Sequence, residues 1–203
     1  SSGTLGLFNT TIAYNWSDSE VMHAGSGGGV YNDGGTVTVE NSIIAENYDN
    51  SSVAPDCAGT LTSGSYNLIR DTTGCTVSAL TNTLTTSSGL NSTLADNGGS
   101  TYTHALSSTS PAIDSGNNYT GCEDSTDTVF STDQRGTGYT RPTNSRCDRG
   151  AFEYIGAETS CADDIDEDND GNTDCDDSDC SSTTACFNCG DGTVQALEEC
   201  DDG

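Results

Sequence analysis

The apolar and polar positions of this chain repeat. Residues Thr4 to Asn15 read TLGLFNTTIAYN and residues Thr36 to Asn47 read TVTVENSIIAEN. At an offset of 32, Leu5 falls on Val37, Leu7 on Val39, Asn9 on Asn41, Ile12 on Ile44 and Asn15 on Asn47. Each copy alternates, is rich in β-branched residues and lacks proline, which is a strand pattern and not a helical one. A period of about 20 to 50 residues marks units that stack, because one such unit cannot bury its own apolar face. The fold class this predicts is all-β: a right-handed parallel β-helix, or solenoid.

Between the copies, GSGGGVYNDGG (Gly25 to Gly35) places Val30 and Tyr31 as a short strand between glycine turns. A third, degenerate copy, GTLTSGSYNLI (Gly59 to Ile69), sets Asn67 at the ladder position of Asn9 and Asn41, with Leu68 and Ile69 expected to face inward. Stacked Asn side chains can bond from coil to coil at the ~4.8 Å strand spacing and satisfy backbone that a corner leaves unpaired. Trp16 to Ala24 reads as a loop inserted in the coil, and from about residue 71 to 155 the period fades into Ser and Thr runs.

Composition narrows the choice. Among 203 residues there are 24 Gly, no Lys and five Arg. So few large apolar residues suit a thin stacked tube better than a wide core. The ten Cys are even in number and show no zinc-ribbon spacing, which implies disulfides and an oxidising, extracellular or cell-surface location for a secreted protein. No signal peptide or membrane span is evident. The formal charge is −27, and 15 of the 32 acids but none of the Arg fall between Cys161 and Gly203. Nucleic acid and anionic membrane are excluded as partners, since both reward Lys and Arg; metal cations are favoured.

An ordered series of motifs, PDCAGTLTSGSYNLI followed by GC, then STLADNGGSTYTHAL, SPAIDSG, DQRGTGYTRP and CDRGAFEY, resembles the choice-of-anchor Q domain of exported bacterial proteins built on pectate-lyase-like β-helices. The resemblance covers about residues 25 to 155 and departs from the family at Arg149, where an Ile is usual. Cys57 and Cys75 flank the degenerate coil, and Cys122 and Cys147 flank the DQRG segment; each pair is expected to bridge, closing loops worth about 3 kcal/mol apiece. Arg135 and Arg141 are expected to clamp the irregular segment to the β-helix, with Asp114 as a carboxylate partner; substrate binding is the alternative role.

The tail begins CADDIDEDNDGNTDCDDSDC. Asp166, Asp168 and Asp170 take loop positions 1, 3 and 5, the Asn172 carbonyl position 7, Asp174 position 9 and Asp177 position 12, with Gly171 at the turn. This is an EF-hand-like calcium loop ending in Asp, and Ca2+ is the expected cofactor because it takes six to eight hard oxygens. The stretch resembles the Asp-rich, disulfide-linked calcium repeats of thrombospondin type 3. Cys189 to Gly203 resembles the start of a cysteine-rich repeat of myxobacterial exported proteins, with Cys189 and Cys200 as its bridge. Cys161, Cys175, Cys180 and Cys186 then have three possible pairings. The expected domains are the β-helix with its choice-of-anchor-like part (1–155), an Asp-rich segment (156–188) and the repeat start (189–203).

The functional expectation is an extracellular structural or adhesive protein and not an enzyme. A polysaccharide lyase needs a strong base beside calcium, yet only Arg70 is basic among the coils and no acidic cluster flanks it in the repeat. Glu40 and Glu46 read as solvated face, and His23 and His104 are isolated. A glycan-binding module using Tyr14, Trp16, Tyr31 and Tyr48 as stacking platforms is a further alternative. The first coil has no capping segment, so Leu5, Leu7, Asn9 and Ile12 are expected to form an assembly surface for head-to-tail self-association into a filament. A glycan or cell-surface molecule is the other expected partner.

Overall fold

Alternation in TVTVE decides which way the second repeat faces: Val37 and Val39 are buried while Thr36 is exposed. The computed structural model describes residues 3–17, 26–50, 52–53, 55–63, 65–78, 83–84, 87–117, 122–123, 128–143, 146–157, 160–162, 175, 180 and 186. The chain divides into two compact units, Ser1–Tyr154 and Ile155–Gly203.

The first unit is all-β among the described residues, with strands β1 (Thr4–Phe8), β2 (Thr11–Ala13), β3 (Trp16–Ser17), β4 (Val30–Tyr31), β5 (Thr36–Glu40), β6 (Ile43–Ala45), β7 (Tyr48–Asp49), β8 (Cys57–Ser63), β9 (Leu68–Ile69), β10 (Cys75–Val77), β11 (Thr83–Leu84), β12 (Cys122–Glu123) and β13 (Val129–Phe130). One parallel sheet runs β1-β5-β8-β10, with β4 also on β8, and a second runs β11-β9-β6-β2. Both registers keep the offset seen in the sequence: Leu5 lies opposite Val37 and Ile12 opposite Ile44. The period does not fade at residue 71, because β10 and β11 stack on β8 and β9 as a fourth layer. Nor is Trp16 a loop residue. It lies in β3, parallel to β7 and opposite Tyr48.

Two apolar cores result. Val30, Val37, Val39, Ile44, Leu61 and Ile69 fill the space shared by the two sheets. The other face of β6 and β9 is covered as well: Ile43, Ala45 and Leu68 pack against Leu106, Ala112 and Phe152 of the irregular segment. Leu68 therefore faces away from the inner core, contrary to the inward orientation expected for it. The reason is the period of two, which sends neighbours Leu68 and Ile69 to opposite faces of one strand.

The corners repeat with the strands. Asn9 and Asn41, 32 residues apart, are both left-handed at φ 50 and φ 47, as are Tyr14 and Glu46 at φ 56 and φ 60. Asn tolerates that conformation because its short polar side chain bonds locally. Asn41 Nδ2 donates to Asn9 Oδ1 at 2.6 Å, and Asn67 Oδ1 accepts from the Ser42 N–H at 3.0 Å. A second ladder joins Asn15 to Asn47 at 3.0 Å, and Asn47 donates to Asp56 Oδ1 at 3.0 Å. Gly59, at φ 84, lies where any Cβ would meet the Asn32 carbonyl, so the corner bearing β4 closes only over glycine.

Cys57 is bonded to Cys75, and Cys122 to Cys147. In the second unit Cys161 is bonded to Cys180 and Cys175 to Cys186, which selects one of the three pairings. Asp166, Asp168, Asp170, Asn172, Asp174, Asp177, Cys189 and Cys200 lie outside the described residues. Among the described residues no helix is long and apolar enough to cross a membrane.

Candidate functional site

Charge inside the first unit is concentrated where the irregular segment meets the second repeat. Asp133, Arg135, Arg141, Asp148, Arg149 and Glu153 are all buried. A buried charge is tolerated only where it is paired or hydrogen-bonded, and each of these makes hydrogen bonds inside the fold. Arg135 donates from Nε and Nη2 to Asp133 Oδ2 at 2.9 and 2.8 Å and to the Glu153 carbonyl at 2.6 Å. Its guanidinium is held between the rings of Tyr139 and Phe152, 3.8 and 3.9 Å from their centroids. Gly98, at φ 84, lets the chain pass over Tyr139, where a Cβ would collide with the phenol oxygen.

Arg141 lies 3.5 Å from Glu153 Oε2 and donates to the Asp148 carbonyl at 2.6 Å. Asp148 accepts the Asp114 N–H at 2.7 Å and the Tyr154 N–H at 2.6 Å. Glu153 accepts the N–H groups of Thr143 and Asp148 at 3.1 and 3.0 Å. Burial pushes Asp148 up to about 6 and Glu153 up to about 7, against the hydrogen bonds and the Arg141 charge. Gly150 N–H to the Asn41 carbonyl at 2.9 Å and Ala151 N–H to Thr11 Oγ1 at 3.0 Å tie the same segment to the first two repeats.

The arginine clamp thus exists with different carboxylates from the one expected. Arg135 pairs with Asp133 and Arg141 with Glu153, while Asp114 enters through its backbone N–H. Asp133 was legible in principle: in DQRG it stands two residues before Arg135, close enough for an extended turn to fold one side chain back on the other. Arg149 fills the position where the resemblance implies Ile, donating to the Asn67 carbonyl at 3.0 Å and the Ser115 carbonyl at 2.9 Å. Burial and the Arg146 charge hold it down to about 10.

Arg70 also differs from its sequence reading, since two acids flank it. Nη1 lies 3.3 Å from Glu46 Oε2 and Nε lies 3.6 Å from Asp56 Oδ2. Glu46, expected on a solvated face, further accepts from Ser88 at 3.1 Å. Glu40 is half-buried, and burial together with Glu123 raises its pKa. The aromatic positions split: Trp16, 63% exposed, and Tyr48 have ring centroids 5.8 Å apart, whereas Tyr14 packs on His104 at 4.7 Å. Tyr31 is exposed on β4.

Of the expected assembly positions, Leu5 is 48% exposed and Leu7 and Ile12 are half-buried against the inner core. Asn9 donates to the Glu123 carbonyl at 3.0 Å. Beside it opens a cavity of about 360 Å³ between the first corner and residues 130–134. The comparisons with known proteins give no lead. No family model, curated protein or solved structure matches the chain.

Proposed function

We propose that this chain is an extracellular structural module, a right-handed parallel β-helix whose irregular segment is locked onto it and whose Asp-rich tail binds calcium. The observation that carries the reading is the use made of arginine. All five guanidiniums are engaged by the fold: Arg70 with Glu46, Arg135 with Asp133, Arg141 with Glu153, Arg146 with the Gly116 carbonyl and Arg149 with the Asn67 carbonyl. A chain with no Lys thus spends its cations on cohesion. Disulfides in both units suit an oxidising, secreted setting.

The donor set Asp166, Asp168, Asp170, Asn172, Asp174 and Asp177 suits calcium, and neutralising carboxylates there relieves like-charge repulsion. The half-exposed Leu5 and a first strand paired on one side only, among the described residues, support head-to-tail association through Leu5, Leu7, Asn9 and Ile12. Sedimentation and negative-stain microscopy of the secreted protein with and without calcium test this. Elongated assemblies that lose protease resistance on chelation are expected; a monodisperse monomer indifferent to calcium contradicts the reading.

The lyase reading attaches to Arg70, the one arginine placed among repeat carboxylates. Its guanidinium is already engaged by Glu46 and Asp56, which opposes service as a base. Turnover of an acidic glycan that disappears in Arg70→Ala would replace the structural account with an enzymatic one.

A further inference from the structure

The cavity beside Asn9 is one half of a groove. Its walls are Phe8 and Phe130, and its floor includes Thr11, Gln134 and Ala151. A second hollow of about 140 Å³ shares those same three floor residues and ends at Tyr102. The two hollows therefore adjoin, with Phe8 and Phe130 lining the first and Tyr102 the second. Phe130 is 40% exposed and Tyr102 61% exposed, so both present a free face.

We propose that this groove binds a short neutral oligosaccharide. Pockets for small ligands join apolar walls to a few polar groups that fix orientation, and here the polar groups are Thr hydroxyls and the Gln134 amide, whose Nε2 donates to Thr101 Oγ1 at 3.0 Å, so that its Oε1 is the group offered to a sugar hydroxyl. An aromatic ring offers the C–H face of a pyranose an apolar surface. Two hollows sharing a floor fit a linear ligand of more than one ring.

Charge selects among glycans. The acid and the cation lining the first hollow, Asp133 and Arg141, are already committed to Arg135 and Glu153. With 32 acids against five Arg, the surrounding field repels uronates and sulfated sugars. A peptide is disfavoured because Gln134 N–H bonds the Ala151 carbonyl, Ala151 N–H bonds Thr11 Oγ1 and Thr10 N–H bonds Ser42 Oγ, so none of these three backbone donors is left for a peptide carbonyl. The site stands apart from the surface ring pair Trp16 and Tyr48 and does not rest on the structural reading above.

Calorimetry of the whole chain tests the proposal, with cellotetraose, mannotetraose, their monosaccharides, tetragalacturonate and a Gly-Ser tetrapeptide as probes. Saturable binding of a neutral tetrasaccharide in the ~0.1–5 mM range is expected, with the monosaccharide and tetragalacturonate at least ~10-fold weaker. Phe130→Ala and, separately, Gln134→Ala should weaken it at least ~10-fold and ~3-fold with unchanged melting, while Trp16→Ala has no effect. Both variants alter exposed side chains, so the fold should tolerate them. No saturable binding of either neutral tetrasaccharide, preference for the uronate or the peptide, retention in both groove variants, or loss in Trp16→Ala would each overturn it.

Discussion

Asn41 shows what one residue does in this fold. It sits at a left-handed corner, it is buried, and its amide donates to Asn9 Oδ1 at 2.6 Å and to the Asp148 carbonyl at 3.2 Å. It therefore joins the first repeat, the second repeat and the irregular segment at a single point. Asn41→Ala removes both bonds, although Arg141 still donates to the Asp148 carbonyl, and leaves positive φ without the local bonding of an Asn side chain, so a loss of about 1–3 kcal/mol in urea unfolding is expected. Asn15→Ala, at an exposed corner, should cost under about 1 kcal/mol. The Asn positions were readable from the sequence because period and residue type coincide. The partners of Arg135 and Arg141 were not, because residues 110–154 follow no period and pairing there is decided in three dimensions.

At the scale of the element, β6 and β9 are sandwiched. Ile44 and Ile69 look into the inner core, while Ile43 and Leu68 look out under Leu106, Ala112 and Phe152. Leu68→Ala should therefore destabilise by about 2–5 kcal/mol, as much as Ile69→Ala. A change below about 1 kcal/mol at Leu68 would mean that the outer face is open to solvent. The continuous apolar pairs Ile43-Ile44 and Leu68-Ile69 carried this information, since a strand buried on both faces reads as a run and not as an alternation. Strands β10 and β11 were harder to see: two or three residues each give too little pattern for a fourth layer to register.

For the whole molecule the buried acids set the response to pH. Asp148 stands at about 6 and Glu153 at about 7 in the fold, against 3.8 and 4.5 for the free side chains. A carboxyl raised in this way is more readily ionised in the unfolded chain, so its contribution is fully present below pH about 4 and is lost as pH rises through about 6 to 7. Arg149, held down to about 10, titrates outside that window. With calcium chelated, the urea midpoint should fall between pH 4 and pH 8, by on the order of 3 kcal/mol in unfolding free energy for each of the two acids. The charge of −27 acts in the same direction by self-repulsion. A midpoint that rises over that range would contradict the burial of these acids.

One ionic cluster locks the irregular segment onto the stacked repeats. Hydrogen exchange of Arg135→Met against the parent chain tests it most directly, because Met keeps much of the stem packing and leaves Asp133 without its cation. Protection should fall together at Gly150, which donates to Asn41, at Ala151, which donates to Thr11, and at Thr103, which donates to Ala95, while Val37 and Val39 in the inner core remain protected. Loss of protection confined to residues 133–139, with Gly150 and Ala151 unchanged, would contradict it.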